Sequence, residues 1–198
     1  MIAFLKGRLY IKSPAQVIVD VNGVGYELQI SLHTYSAIAN IEEGQLHTYL
    51  HITENAQTLY GFYGLPEKEL FLQLISVSGV GASTARMMLS GMKPDEITKA
   101  IVQGNARLLE SIKGIGKKTA ERLVLELKDK LVKQYDASLQ NITGAPAQLP
   151  VEADALNALV ALGIARNMAE AALKKTIAAN KDANVNLEEM IKATLKNL

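Results

Sequence analysis

Leu74-Ile75-Ser76-Val77-Ser78-Gly79-Val80-Gly81-Ala82-Ser83-Thr84-Ala85-Arg86-Met87-Met88 and Leu109-Glu110-Ser111-Ile112-Lys113-Gly114-Ile115-Gly116-Lys117-Lys118-Thr119-Ala120-Glu121-Arg122-Leu123 superimpose without a gap at a spacing of 35 residues. Both fit apolar-x-x-apolar-x-Gly-apolar-Gly-x-x-x-Ala-x-x-apolar, which points to one supersecondary unit used twice. In each copy the Gly-apolar-Gly triplet follows one helical period and opens another. Glycine permits positive φ and close backbone approach, and the central apolar residue, Val80 or Ile115, anchors the bend inward. The unpaired N–H groups that begin the next helix then point outward. Such a bend suits a phosphate oxygen, which backbone amides and the positive end of the helix dipole both attract. A single Gly-x-Gly is as readily a plain turn between helices, but two copies in register weigh against that.

The repeated pattern resembles the helix-hairpin-helix motif of DNA-binding proteins. The candidate DNA contacts are Gly79, Val80, Gly81, Ser83 and Arg86 in the first copy and Gly114, Ile115, Gly116, Lys117, Lys118 and Arg122 in the second. Contacts of this type position a protein on the backbone and read no bases. Lys117 and Lys118 fall in a first helical turn, where a cation opposes the dipole unless an anion offsets it; the alternative is a pair of ordinary solvated charges. Gly116-Lys117 is not a Walker A loop, because that pattern needs Gly where Ser111 stands and Ser or Thr where Lys118 stands. No catalytic residue, metal site or cofactor is expected. His33, His47 and His51 are the only histidines, there is no cysteine, and Asp20, Glu27, Glu42 and Glu43 lack the clustering a metal-dependent nuclease needs.

Outward from the repeat, the chain changes character on both sides. From Met1 to about Tyr63 the period is two: Val17, Val19 and Val21 alternate with Ile18, Asp20 and Asn22, Asn22-Gly23-Val24-Gly25 turns, and Tyr26, Leu28 and Ile30 follow. Further strands fit Phe4 to Ile11, Leu46 to Ile52 and Thr58 to Tyr63, so residues 1–66 suggest a small barrel such as an OB-fold. After Pro66 the period becomes helical, with Leu70, Leu74 and Val77 on one face, Ala85, Met88 and Leu89 on another and Leu123, Leu127 and Leu131 later. That segment, 67–135, is read as an all-α domain. Residues 136–150, DASLQNITGAPAQLP, hold turn formers and no apolar period and are read as a flexible linker. Residues 151–198 carry three short amphipathic patterns, a small three-helix bundle. The fold class is therefore α+β multidomain.

Charge follows the same division. Residues 1–66 carry 3 basic and 5 acidic side chains, residues 67–135 carry 12 and 8, and residues 136–198 carry 6 and 7. The overall net charge of +1 hides a middle segment of net +4, which suits a polyanionic partner. The absence of cysteine permits a reducing interior, and no stretch approaches the roughly 18 apolar residues of a bilayer span. A soluble, cytoplasmic protein with no membrane partner is expected.

The order of barrel, tandem hairpins, linker and small bundle resembles the RuvA family, the Holliday-junction-binding subunits of bacterial branch-migration complexes. Its most specific pieces are Ala56-Gln57-Thr58-Leu59-Tyr60-Gly61-Phe62, the first hairpin with Leu89-Ser90-Gly91-Met92 downstream, and Gly114 to Leu123. The resemblance implies a non-enzymatic homotetramer, or two tetramers face to face as an octamer, on four-way junction DNA. It implies the hexameric AAA+ ATPase RuvB as motor and allows the resolvase RuvC as a further partner. It implies an acidic pin on a barrel hairpin, here Glu54-Asn55, where one of the family's two carboxylates is a neutral amide. A second departure is Ser83, where the family often has lysine, with Arg86 as a compensating cation. For the C-terminal bundle the resemblance implies motor docking, with Leu159, Leu162, Ile164 and Leu195 as apolar contacts; the same residues also fit the core of a very small bundle.

Overall fold

The computed structural model describes residues 1–140, 151–179 and 186–197 of the 198. They divide into two compact units, Met1–Ala137 and Ser138–Leu198. The first unit opens with strands β1 (Phe4–Ser13), β2 (Gln16–Val21), β3 (Val24–Ile30), β4 (Glu43–Ile52) and β5 (Gln57–Phe62). They join in the order β1-β2-β3-β5-β4 and close where β4 pairs back onto β1. Only β3 and β5 run parallel, Gln29 opposite Tyr60 and Ile30 opposite Gly61. This is the expected OB-fold barrel. The alternation seen in the sequence places Val17, Val19, Leu28 and Ile30 inside it, each at most 1% exposed. Asn22 (φ 53°) and Gly23 (φ 87°) form the two-residue turn between β2 and β3, and the Asp20 carboxylate accepts from the Gly23 amide at 2.7 Å.

Between β3 and β4 lies a helix the sequence period does not announce, α1 (Leu32–Ile38). Two turns are too short for a 3.6-residue stripe to show, yet Ser31 caps it by accepting from the Thr34 amide at 3.0 Å. Ile38, 1% exposed, joins the barrel core.

The helical part contains α2 (Leu65–Ile75), α3 (Ala82–Gly91), α4 (Pro94–Val102), α5 (Ala106–Glu110) and α6 (Lys117–Gln140). The expected boundary at 66/67 falls inside α2, just after the change from strand to helix, and packing continues across it. Phe71 of α2 is fully buried with its ring 5.7 Å from Tyr49, 5.1 Å from Tyr60 and 4.9 Å from Phe62, three barrel residues. Burying a ring of this size contributes about 1.5–3 kcal/mol. Beside it Glu67, 2% exposed, accepts from the hydroxyls of Ser31 and of Thr34, the latter at 2.6 Å, and Thr34 Oγ1 in turn accepts from the Tyr63 amide at 3.0 Å. A buried carboxylate is costly unless its oxygens are satisfied, and here both are. Helix α6 continues through Gln140 into the expected linker, and residues 141–150 of that stretch lie outside the described residues.

The second unit holds α7 (Val151–Ala161), α8 (Arg166–Ala179) and α9 (Leu187–Lys196), the three expected helices. Its core is built of three alanines, Ala155, Ala169 and Ala172, and two leucines, Leu159 and Leu173, with Thr176 and Thr194 buried beside them. Both threonine hydroxyls donate to carbonyls four residues back, Ala172 at 3.0 Å and Met190 at 2.7 Å, which satisfies them inside the bundle. No helix among the described residues is long and apolar enough to cross a membrane.

Candidate nucleic-acid interface

The two copies of the repeat fold alike, bond by bond. Helix α2 ends as the Val77 amide donates to the Leu74 carbonyl (3.2 Å) and the Val80 amide to the Val77 carbonyl (3.0 Å); α5 ends with Ile112 to Leu109 (3.1 Å) and Ile115 to Ile112 (3.0 Å). Gly79 and Gly114 both have φ 91°, the left-handed region where a Cβ is penalised, so each first glycine is a backbone requirement. Val80 and Ile115 are buried at 4% and 6% exposure, the inward anchors the spacing predicts. The new helices begin with Ala85 donating to Gly81 (2.9 Å) and Ala120 to Gly116 (3.0 Å). Among the described residues, the amides of residues 81–84 and 116–119 therefore find no protein acceptor. A Cβ at Gly81 or Gly116 would meet nothing within 4 Å, so each second glycine leaves the approach to those amides open. Neither α3 nor α6 has an acidic residue in its first turn to neutralise the dipole.

The hairpins brace each other through equivalent positions of the repeat. Arg122 Nη1 donates to the Ser78 carbonyl in the first loop at 3.1 Å, and Met87, its counterpart 35 residues earlier, lies against the second loop, its Sδ 3.7 Å from where a Gly114 Cβ would stand. Arg122 also faces Glu126 at 3.8 Å, an exposed pair worth little. Lys117, Lys118 and Ser83 are exposed beside the free amides. Arg86 has other partners than the sequence suggests. Its Nη1 is directed at the barrel, where Ala15 and Gln29 accept from it at 2.9 and 3.1 Å.

Glu54 and Asn55 form the exposed tip of the β4–β5 turn. The turn is closed by the Thr53 amide donating to the Ala56 carbonyl (2.9 Å) and the Ala56 amide donating to Thr53 Oγ1 (3.1 Å), which leaves both tip side chains in solvent. His51 packs its ring against Tyr49 and Tyr60 on the same barrel wall.

In the second unit the four apolar candidates separate. Leu159 is fully buried and belongs to the bundle core, which corrects its expected place on a docking surface. Leu162 is 65% and Leu195 43% exposed, joined by Val160 and Met168 as exposed apolar residues, and Ile164 is half-buried. Leu162 stands out because α7 ends there: Gly163 takes φ 91°, its amide donates to Val160 at 2.9 Å, and the Ile164 amide closes onto the Leu159 carbonyl at 3.2 Å.

Three family models match the chain: one described as RuvA N terminal domain over residues 1–61, one as SAM-like helix-hairpin-helix tandem over 71–129, and one as RuvA, C-terminal domain over 150–198. Similar curated proteins carry the name Holliday junction branch migration complex subunit RuvA. That of Flavobacterium psychrophilum is 46% identical over 198 residues, covering 100% of both chains. That of Geobacter sulfurreducens is 46% identical over 203 residues, covering 100% of this chain and 99% of its own. That of Cytophaga hutchinsonii is 43% identical over 200 residues, covering 99% of each.

Proposed function

Since the chain belongs to the RuvA family, we propose that it binds four-way DNA junctions without sequence preference, as the non-catalytic subunit of a branch-migration complex. The observation that carries this reading is the pair of superimposable loops, each with a buried apolar anchor, an open glycine and a row of free amides. The contact set is the loops of Gly79-Val80-Gly81 and Gly114-Ile115-Gly116 with Ser83, Lys117 and Lys118. Four copies in a closed ring match one subunit to each arm, and a second ring on the opposite face makes an octamer. Multivalency then converts weak duplex contacts into junction preference. ATP hydrolysis falls to a RuvB motor, docked through the exposed Leu162 and Leu195 with Ile164, and RuvC resolvase is a further partner on the same junction. In a binding assay the protein is expected to hold a synthetic four-way junction more tightly than duplex of the same sequence, with a steep salt dependence. Equal affinity for the two at moderate salt would overturn the proposal.

The turn at Glu54-Asn55 acts as the pin. A carboxylate near the crossover repels phosphate, so Glu54→Gln lowers the ratio of junction to duplex affinity by strengthening duplex binding, and Asn55→Asp raises it. Both effects fade toward 1 M salt, where the Debye length is about 3 Å. If neither variant moves the ratio at low salt, the turn is only a solvated loop.

A further inference from the structure

Helix α3, whose N-terminus forms the first hairpin site, is fastened to the barrel on two successive turns. Arg86 Nη1 donates to the carbonyl of Ala15 (2.9 Å), in the β1–β2 turn, to Gln29 Oε1 (3.1 Å) and toward the carbonyl of Ile30 (3.5 Å), both in β3. One turn later Ser90 Oγ accepts from the Leu32 amide at the start of α1 (3.1 Å) while donating to the Arg86 carbonyl (2.9 Å). Residues four apart share a helix face, so Arg86 and Ser90 together present one seam to the barrel. The repeat supplies an internal comparison. Thirty-five residues on, the equivalent positions are Glu121 and Leu125, both exposed, Leu125 at 82%. The second hairpin has solvent where the first has the barrel.

The two sites also differ in what holds a phosphate. The second has Lys117 and Lys118 in its first turn, while the first has Ala82, buried, and Ser83 at the matching positions. A lysine on a flexible stem tolerates displacement, whereas hydrogen bonds from amides and a hydroxyl weaken steeply with angle and distance. The hairpin without cations is therefore the one whose placement matters more, and it is the one fastened.

We infer that Arg86 is a positioning residue: it fixes the first hairpin relative to the barrel and its Glu54-Asn55 turn, and so sets the discrimination of junction from duplex without itself contacting phosphate. The inference rests on the junction-binding function proposed above. Duplex engages the hairpins without reference to the barrel, but a junction must meet hairpins and pin at once.

The test measures junction and duplex affinity over a salt series for the wild type, Arg86→Ala, Arg86→Lys and Ser90→Ala, with thermal unfolding and light scattering on each. Arg86→Ala lowers the junction-to-duplex ratio about tenfold, the size of a lost set of charge-assisted hydrogen bonds, and leaves the salt slope unchanged. Arg86→Lys does not restore the ratio, because an ammonium lacks the guanidinium's planar geometry and cannot hold the same acceptors. Ser90→Ala shifts the ratio the same way by less, and it decides the matter together with Arg86→Lys if Arg86→Ala does not fold. A salt slope reduced by about 0.9 per site, with rescue by lysine, marks a phosphate contact and overturns the inference. So does a wild-type ratio in every variant. A wild type with no junction preference overturns the proposed function itself.

Discussion

Replacing Lys117 and Lys118 together by alanine is expected to weaken junction and duplex binding alike, whatever the sequence, and to flatten the salt dependence. Both side chains are exposed at the start of α6, beside amides that have no protein acceptor, and no acidic residue in that turn competes for them. Each phosphate neutralised adds about 0.9 to the slope of log K against log salt, so the double variant loses up to roughly 1.8 per subunit. In a multivalent assembly the loss compounds, because every arm's contact is weakened at once. Titrations from low to moderate salt on a junction and on its component duplex provide the check. An unchanged slope would mean that the lysines are solvated charges and that the amides alone hold the backbone. The variant folds normally, since removing two cations from a helix N-terminus relieves the dipole.

Leu159→Asp and Leu162→Asp, three residues apart, give opposite outcomes. Leu159 is fully buried in a core of alanines with Leu173, so a carboxylate there is desolvated without a partner and costs several kcal/mol, about 3–5, which a bundle of this size does not withstand. Leu162 is 65% exposed at the end of α7, and the same substitution changes stability by no more than about 0.5 kcal/mol. Circular dichroism melting of the 151–198 segment within the full chain separates the two. On the proposed function, Leu162→Asp is expected to leave that transition and junction binding intact and to remove stimulation of the motor ATPase. Stimulation at the wild-type level in Leu162→Asp would place the docking surface elsewhere on the bundle.

The barrel and the hairpins differ in how far their local signals reach. The strands β2 and β3 are legible because alternate residues face water and core, and Asn22-Gly23 can take the positive φ its turn demands. The hairpins are legible because Gly79 and Gly114 carry a backbone requirement that little else satisfies. Helix α1 is not legible, being two turns long; α4 is a short piece between the repeats and α5 the short first helix of the second copy, and their buried faces rest on one or a few residues each. The four apolar candidates of the C-terminal segment show the same limit. Leu159 and Leu162 are identical side chains three apart on one helical period, and only the position of α8 and α9 decides which is covered.

What the sequence by itself determined are properties carried by single residues and their spacing: barrel alternation, a duplicated loop with its inward anchor, a basic middle segment, and first-turn lysines in one copy only. Arg86 and Glu67 belong to the other class. Arg86 looks like a phosphate contact beside its loop, and Glu67 like an ordinary first-turn acid after Pro66. Their partners, Ala15 and Gln29 for the one and Ser31 and Thr34 for the other, lie 33 to 71 residues away. Hydrogen-bond partners at that separation are selected by packing of Phe71 and its neighbours across the barrel wall, and no local period records them.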